Sequence, residues 1–200
     1  MNKFIHVGCG QKTKSSTTKG FNSDDWTEVR YDIDEAVEPD YIGSMTDMSV
    51  ISSSSFDAVF SSHNIEHLYA HDVPIALGEF HRVLNDLGML VLTCPDLKSV
   101  CELVAQDRLL EQAYLSPAGP ITPLDILYGH RESMKRGNLY MAHKCGFTRK
   151  VLVATLQSAG FSSVISMSRG APHFDLWAIA TKAEQAEPDM RQLSNAHFPS

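Results

Sequence analysis

Two apolar runs with a well-marked helix between them constrain this chain more than any other feature. "SFDAVFSS", from Ser55, reads as a buried strand, and "GMLVLTCP", from Gly88, reads as another that Pro95 closes. Between them Asp72 is a predicted N-cap with Pro74 in the first turn, and Val73, Leu77, Phe80 and Leu84 recur at helical spacing before Gly88. A strand, a helix and a strand in this order make a crossover, and a crossover makes a parallel sheet.

The rest of the chain extends that unit. "KFIHVG", "TEVRYDID" and the weaker "PDYIGSM" supply three earlier strands, the first two ending at a glycine or at acids. A second helix is predicted from about Leu97 to Gln112 on Val100, Leu103, Val104 and Leu110. A third follows Thr148, with Val151, Leu152 and Leu156 facing inward and Gly160 at its end. "SSVISMSRG" and "FDLWAIATK" are two strands whose loop is too short for a crossover, so they form a hairpin. The predicted fold is α/β, a Rossmann-like doubly wound sheet of seven strands, mostly parallel, with a C-terminal antiparallel hairpin. Residues 1–182 form one domain. Within it the stretch 113–146, rich in Pro and Gly and without a sustained period, reads as an irregular lid over an acceptor. The polar, aperiodic stretch 183–200 reads as a flexible tail.

Composition removes several function classes. At 200 residues and 43% hydrophobic, the chain holds one full core. With 17 basic against 24 acidic residues the net charge is -7, and "QKTKSSTTK" is the sole local basic run, so no nucleic-acid partner is expected. The start has no signal-peptide core and no stretch reaches membrane-span length, which predicts a cytoplasmic protein without a membrane partner. Cys9, Cys94, Cys101 and Cys145 stand far apart, which argues against a zinc knuckle and against a disulfide framework.

Gly8 and Gly10 follow the first strand, where small residues let a ligand approach the backbone. Asp32 ends the second strand, where a carboxylate can accept from ribose hydroxyls. Asp34 lies beyond the strand and reads as a turn residue. A dinucleotide and S-adenosylmethionine both suit this pair of signals. Lys12 stands where the phosphate-binding glycine fingerprint would continue, and no apolar helical repeat follows it, which favours a cofactor without phosphates. "SSHNIEHLYAHD" adds H-x-x-E-H at His63, Glu66 and His67, the inverted zinc-protease pattern, with Glu132 as a third ligand. That reading needs both histidines on one continuous helix, and only about ten residues separate the end of the strand from Asp72.

"VGCG", "YDID", "SFDAVFSSHNIEHL", "EFHRVLNDLGMLVLTCPD" and "HKCGFTRKVLVATLQSAGF", in this order, resemble the small single-domain class I S-adenosylmethionine-dependent methyltransferases of the type 11 group, over residues 4–181. The resemblance implies that Gly8, Cys9 and Gly10 lie under the methionine part of the cofactor and that Asp32 and Ile33 flank the ribose. It sets Ser44, Met45 and Thr46 beside the adenine, and Ser61, Ser62 and His63 next to the donor methyl, with no metal in the E-H turn. Ser44 departs from the family pattern, which has an acid there. An acceptor that must shed a proton calls for a general base, and His63, His130 and His143 are the catalytic candidates, His67 standing beside them. Tyr128, Tyr140 and Arg131 supply further polar groups in the predicted lid. The expected function is methyl transfer from S-adenosylmethionine to a small-molecule acceptor, with a homodimer as an admissible assembly. The competing readings are a non-catalytic cofactor-binding relative, a nicotinamide-dependent oxidoreductase and a zinc hydrolase.

Overall fold

The computed structural model describes residues 1–199; Ser200, the last residue of the predicted tail, lies outside them. The chain opens with β1 (Asn2–Val7), β2 (Trp26–Asp32), the short β3 (Tyr41–Ile42) and β4 (Phe56–Ser62). Helix α1 (Val73–Val83) runs directly into β5 (Leu84–Pro95), and α2 (Leu97–Val104) follows. Next come the small hairpin β6 (Tyr114–Ser116) and β7 (Gly119–Ile121), then α3 (Pro123–Tyr128), α4 (Arg131–Lys135) and α5 (Arg149–Ser158). Strands β8 (Ser163–Arg169) and β9 (Asp175–Thr181) precede a last helix, α6 (Glu187–His197).

Among the described residues the main sheet has seven strands in the order β3-β2-β1-β4-β5-β9-β8. The first five pair in parallel, while β9 runs antiparallel to β5 and to β8, as the alternation and the short last loop predict. Val7 stands opposite both Tyr31 and Ser61, so β1, β2 and β4 end together along one edge. That edge is where loops can gather around a ligand in an open α/β sheet.

Alternate strand residues face opposite sides. On one side Ile5, Val59 and Leu90 meet Val73, Leu77, Phe80 and Val83 of α1 and Leu152 and Leu156 of α5. On the other side Phe4, Ala58, Phe60, Val91 and Ile179 are covered by Phe21 and by Met190 of α6. Each large apolar side chain buried in this way contributes about 1.5–3 kcal/mol.

Several local expectations are corrected. The predicted tail, as far as it is described (183–199), is not loose: α6 buries Met190 and His197 against the sheet. Pro188 in its first turn with Glu187 and Asp189 beside it suits a helix start. The stretch 113–146 is not irregular. It carries β6, β7, α3 and α4, and α3 begins with a capping box in which Thr122 and Asp125 satisfy each other's backbone amides. Ile121, Ile126, Val100 and Phe174 make a small core beneath it. These elements are too short to show a period in the sequence. Helix α2 stops at Val104, and Leu110 is 66% exposed, because Asp107 turns the chain at positive φ. Val151 faces solvent rather than the core.

Candidate functional site

A cleft of about 540 Å³ opens at the carboxyl ends of β1, β2 and β4. This is within the usual size range of small-molecule sites. Of the residues that the resemblance sets around the cofactor, Gly8, Gly10, Asp32, Ile33, Ser44, Met45, Thr46 and His63 line it. Its far wall includes Tyr140, Met141 and Lys144 from the segment between α4 and α5. Three other predicted cofactor residues are not lining residues. Cys9 and Ser61 are each 1% exposed and face the interior, and the Ser62 hydroxyl is bonded to that of Thr93 at 2.8 Å.

Asp32 organises the glycine loop. Its Oδ2 accepts from the Gly10 amide at 2.7 Å and its Oδ1 accepts from the Asp34 amide at 2.9 Å. A carboxylate has about four acceptor positions, so each oxygen retains one for a ligand. Asp34 is a turn residue, accepting from the Ala36 amide at the head of a one-turn 3-10 helix, Glu35–Val37. After Gly10 the chain forms only a three-residue 3-10 turn, Lys14–Ser16. The helix N-terminus that would receive a pyrophosphate does not follow the glycine loop. Ser44, where the family pattern has an acid, spends its hydroxyl on that of Thr46 at 2.7 Å.

The H-x-x-E-H stretch is not one helix. His63 sits at φ +57, and only Ile65–His67 winds, as a 3-10 turn. Glu66 is buried at 1% exposure, while His63 is exposed and lines both the cleft and a second cavity of about 310 Å³. His67 and Met141 also belong to both. The second cavity takes in the remaining catalytic candidates, His130 and His143. His130 contacts the Ser133 hydroxyl through Nδ1 at 2.8 Å, and the His143 ring packs edge-on against that of His67. Burial would push the Glu66 carboxyl pKa up, but the neighbouring imidazoles of His63 and His67 outweigh it and hold the group below its ordinary range. Burial lowers the pKa of His143, disfavouring its charged form.

Two predicted lid groups do not face a ligand. Arg131 is engaged with Asp125 at 2.7 Å, and Tyr128 is 62% exposed outside both cavities. Glu132, the third ligand of the zinc reading, is exposed on α4. His143, 76 residues beyond His67, approaches it instead.

A family profile described as a methyltransferase domain matches residues 5–92, the stretch that contains the glycine loop, Asp32 and the E-H turn. The chain has the fold of the class I S-adenosylmethionine-dependent methyltransferases, and residues 5–92 carry the methyltransferase-domain signature. Solved methyltransferases overlay nearly all of it. One from Thermotoga maritima, described as a possible histamine N-methyltransferase, shares 14% identity at a TM-score of 0.57, covering 92% of this chain and 83% of that one. One from Methanosarcina mazei shares 16% identity at 0.59, covering 92% and 93%. The 1,6-didemethyltoxoflavin-N1-methyltransferase of Burkholderia thailandensis, solved with bound 1,6-didemethyltoxoflavin and S-adenosylhomocysteine, shares 13% identity at a TM-score of 0.59, covering 92% and 72%. Among curated proteins, none matches the sequence. The chain has no helix, among the described residues, long and apolar enough to cross a membrane.

Proposed function

We propose that this chain is a methyltransferase that binds S-adenosylmethionine in the 540 Å³ cleft and transfers its methyl group to a small-molecule acceptor held in the adjoining cavity. The observation that carries the reading is the Asp32 clamp on a glycine loop that lacks a following α-helix. It supports a cofactor with a ribose and no pyrophosphate, and it disfavours the nicotinamide reading. When bound, S-adenosylmethionine supplies an electrophilic methyl group on a sulfonium, a leaving group already activated by its charge.

The residues present fit that ligand. Gly10 has nothing within 4 Å of where a Cβ would stand, so the backbone itself forms the floor. Asp32 would hold the ribose, and Met45 would offer an apolar contact to the base. The chain's task is then largely positioning, since holding two reactants in line removes much of the entropic barrier. His63 and His67 stand where the cleft and the second cavity meet, the place from which side chains orient an acceptor toward the donor methyl. The second cavity's size supports a small molecule, as does the small-molecule substrate of the Burkholderia thailandensis relative. The hydroxyl at Ser44 favours one competing reading, a relative that binds the cofactor without turnover.

Isothermal titration with S-adenosylmethionine, S-adenosylhomocysteine and NAD tests the assignment. We expect the first two to bind and NAD to give no heat. Asp32→Ala should weaken S-adenosylhomocysteine by about 1–3 kcal/mol, the cost of leaving ribose hydroxyls and the Gly10 amide without their acceptor, and Asp34→Ala should do less. Equal losses at both positions would reject Asp32 as the ribose ligand.

A further inference from the structure

The Glu66 side chain is 1% exposed, yet neither carboxylate oxygen has a hydrogen-bond partner among the described residues. The nearest imidazole nitrogen, Nδ1 of His63, stands 3.4 Å from Oε1. A buried carboxylate without partners is costly, and native structures keep one when something else satisfies it. Its position is also fixed: the Glu66 carbonyl accepts from the amides of Lys144 and Cys145 at 2.8 and 3.2 Å, which ties the E-H turn to the strand of chain carrying His143.

Ligand atoms of Glu66, His67 and His143 all lie within 4.8 Å of one another. Both imidazoles are oriented from behind. His67 Nδ1 lies 3.2 Å from the Ala142 carbonyl and His143 Nδ1 lies 2.8 Å from the Ile126 carbonyl. A carbonyl only accepts, so each Nδ1 carries the proton and each Nε2 presents a lone pair. Backbone carbonyls orient metal-binding histidines in this same way.

We propose that Glu66, His67 and His143 form a binding site for a divalent transition-metal ion, which holds an oxygen of the methyl acceptor. Two imidazoles and one carboxylate suit zinc, manganese or iron(II) better than magnesium or calcium, which prefer oxygen ligands. Three protein ligands leave coordination positions for a substrate oxygen. The site lies between the cofactor cleft and the second cavity, since His67 lines both. This deepens the methyl-transfer reading and rests on it for the chemistry. The metal-held hydroxyl gives its proton to water, its oxygen forms the new bond to the methyl carbon, and the carbon–sulfur bond breaks. The bonding pair stays on sulfur, so the sulfonium leaves as a neutral thioether. The acceptor class is then a small molecule with a metal-chelating hydroxyl.

The proposal opposes the expectation of a metal-free turn, and it differs from the inverted zinc-protease pattern. Glu66 becomes a ligand instead of a base, and His143 takes the place given to Glu132.

The test uses the full chain, purified without an affinity tag, stripped with a chelator and titrated with Zn²⁺, Mn²⁺ and Co²⁺. We expect one ion per chain, a visible Co²⁺ absorption band of a site below six-coordinate, and losses of about 100-fold in affinity for His67→Ala and His143→Ala. His71→Ala, an exposed histidine outside the trio, should bind metal as the wild type does. Wild-type protein that takes up well under one ion of every metal, or uptake unchanged in both trio variants, overturns the site. The wild-type titration decides the matter even if a variant does not fold. S-adenosylhomocysteine affinity of the stripped protein is read separately. Its loss would count against the methyl-transfer reading, while metal uptake alone decides the site.

Discussion

As the pH falls from about 6.5 to about 4, the folded chain should lose about 3 kcal/mol of stability through one side chain, His197. Its imidazole is 4% exposed at the end of α6, lies 4.4 Å from the Phe21 ring, and shares a hydrogen bond of 2.7 Å with the Thr18 hydroxyl. Burial pushes its pKa down from 6.5 to about 4. The sign follows directly. The unfolded chain takes up this proton at a higher pH than the folded chain does, so acid favours unfolding across that window and full stability returns above it. Urea denaturation at pH 7.5, 5.5 and 4.5 reads the slope, and His197→Gln isolates it, because glutamine can keep a polar contact to Thr18 without titrating. An identical pH slope in wild type and variant would show that His197 is not the group responsible.

The same helix explains what the sequence conceals. Met190, Leu193 and His197 recur at spacings of three and four, which is one helical stripe. A stripe of one methionine, one leucine and one histidine in a polar stretch is a weak hydrophobic signal. Its meaning comes from the other face of the sheet, where the loop between β1 and β2 forms a 3-10 turn and leaves Phe4 and Phe60 to be covered by Phe21 and α6. No local pattern near Glu187 reports that need. By contrast β4, α1 and β5 are plain in the sequence, because their apolar runs are continuous and Pro74 and Pro95 mark their boundaries.

The candidate site divides along similar lines. Gly8, Gly10 and Asp32 are legible because they lie at strand ends whose register the parallel pairing fixes. His63, Glu66 and His67 are conspicuous as a motif, but their grouping is not. A backbone turn at φ +57 sets His63 apart, and His143 joins Glu66 and His67 only through a segment of short elements with no readable period. Local spacing fixes which residues share a turn; it carries no information on which distant turn docks against it.

Gly8 and Gly10 should fail in different ways when replaced by alanine, and the contrast tests where the cofactor lies. Both sit at positive φ, 67 and 53, where a Cβ costs roughly 1 kcal/mol. At Gly8 a Cβ would also stand 2.2 Å from Asn64 Oδ1. Asn64 has little freedom to withdraw, since its Nδ2 donates to the carbonyls of Val7 and Ser62 at 3.1 and 3.0 Å and to the Ser61 hydroxyl at 3.3 Å. Displacing it would break the bond that joins the end of β1 to the E-H turn and those that hold the turn to the end of β4, each contributing about 1 kcal/mol. Gly8→Ala should therefore cost about 3 kcal/mol or more in unfolding free energy and disturb cleft and turn together. At Gly10 nothing lies within 4 Å of the added carbon, which points into open space at the cleft. Gly10→Ala should cost only about 1 kcal/mol in stability while sharply reducing S-adenosylhomocysteine affinity. Thermal denaturation paired with ligand titration separates the two effects, and undiminished affinity in a folded Gly10→Ala protein would mean that the cofactor does not lie against this loop.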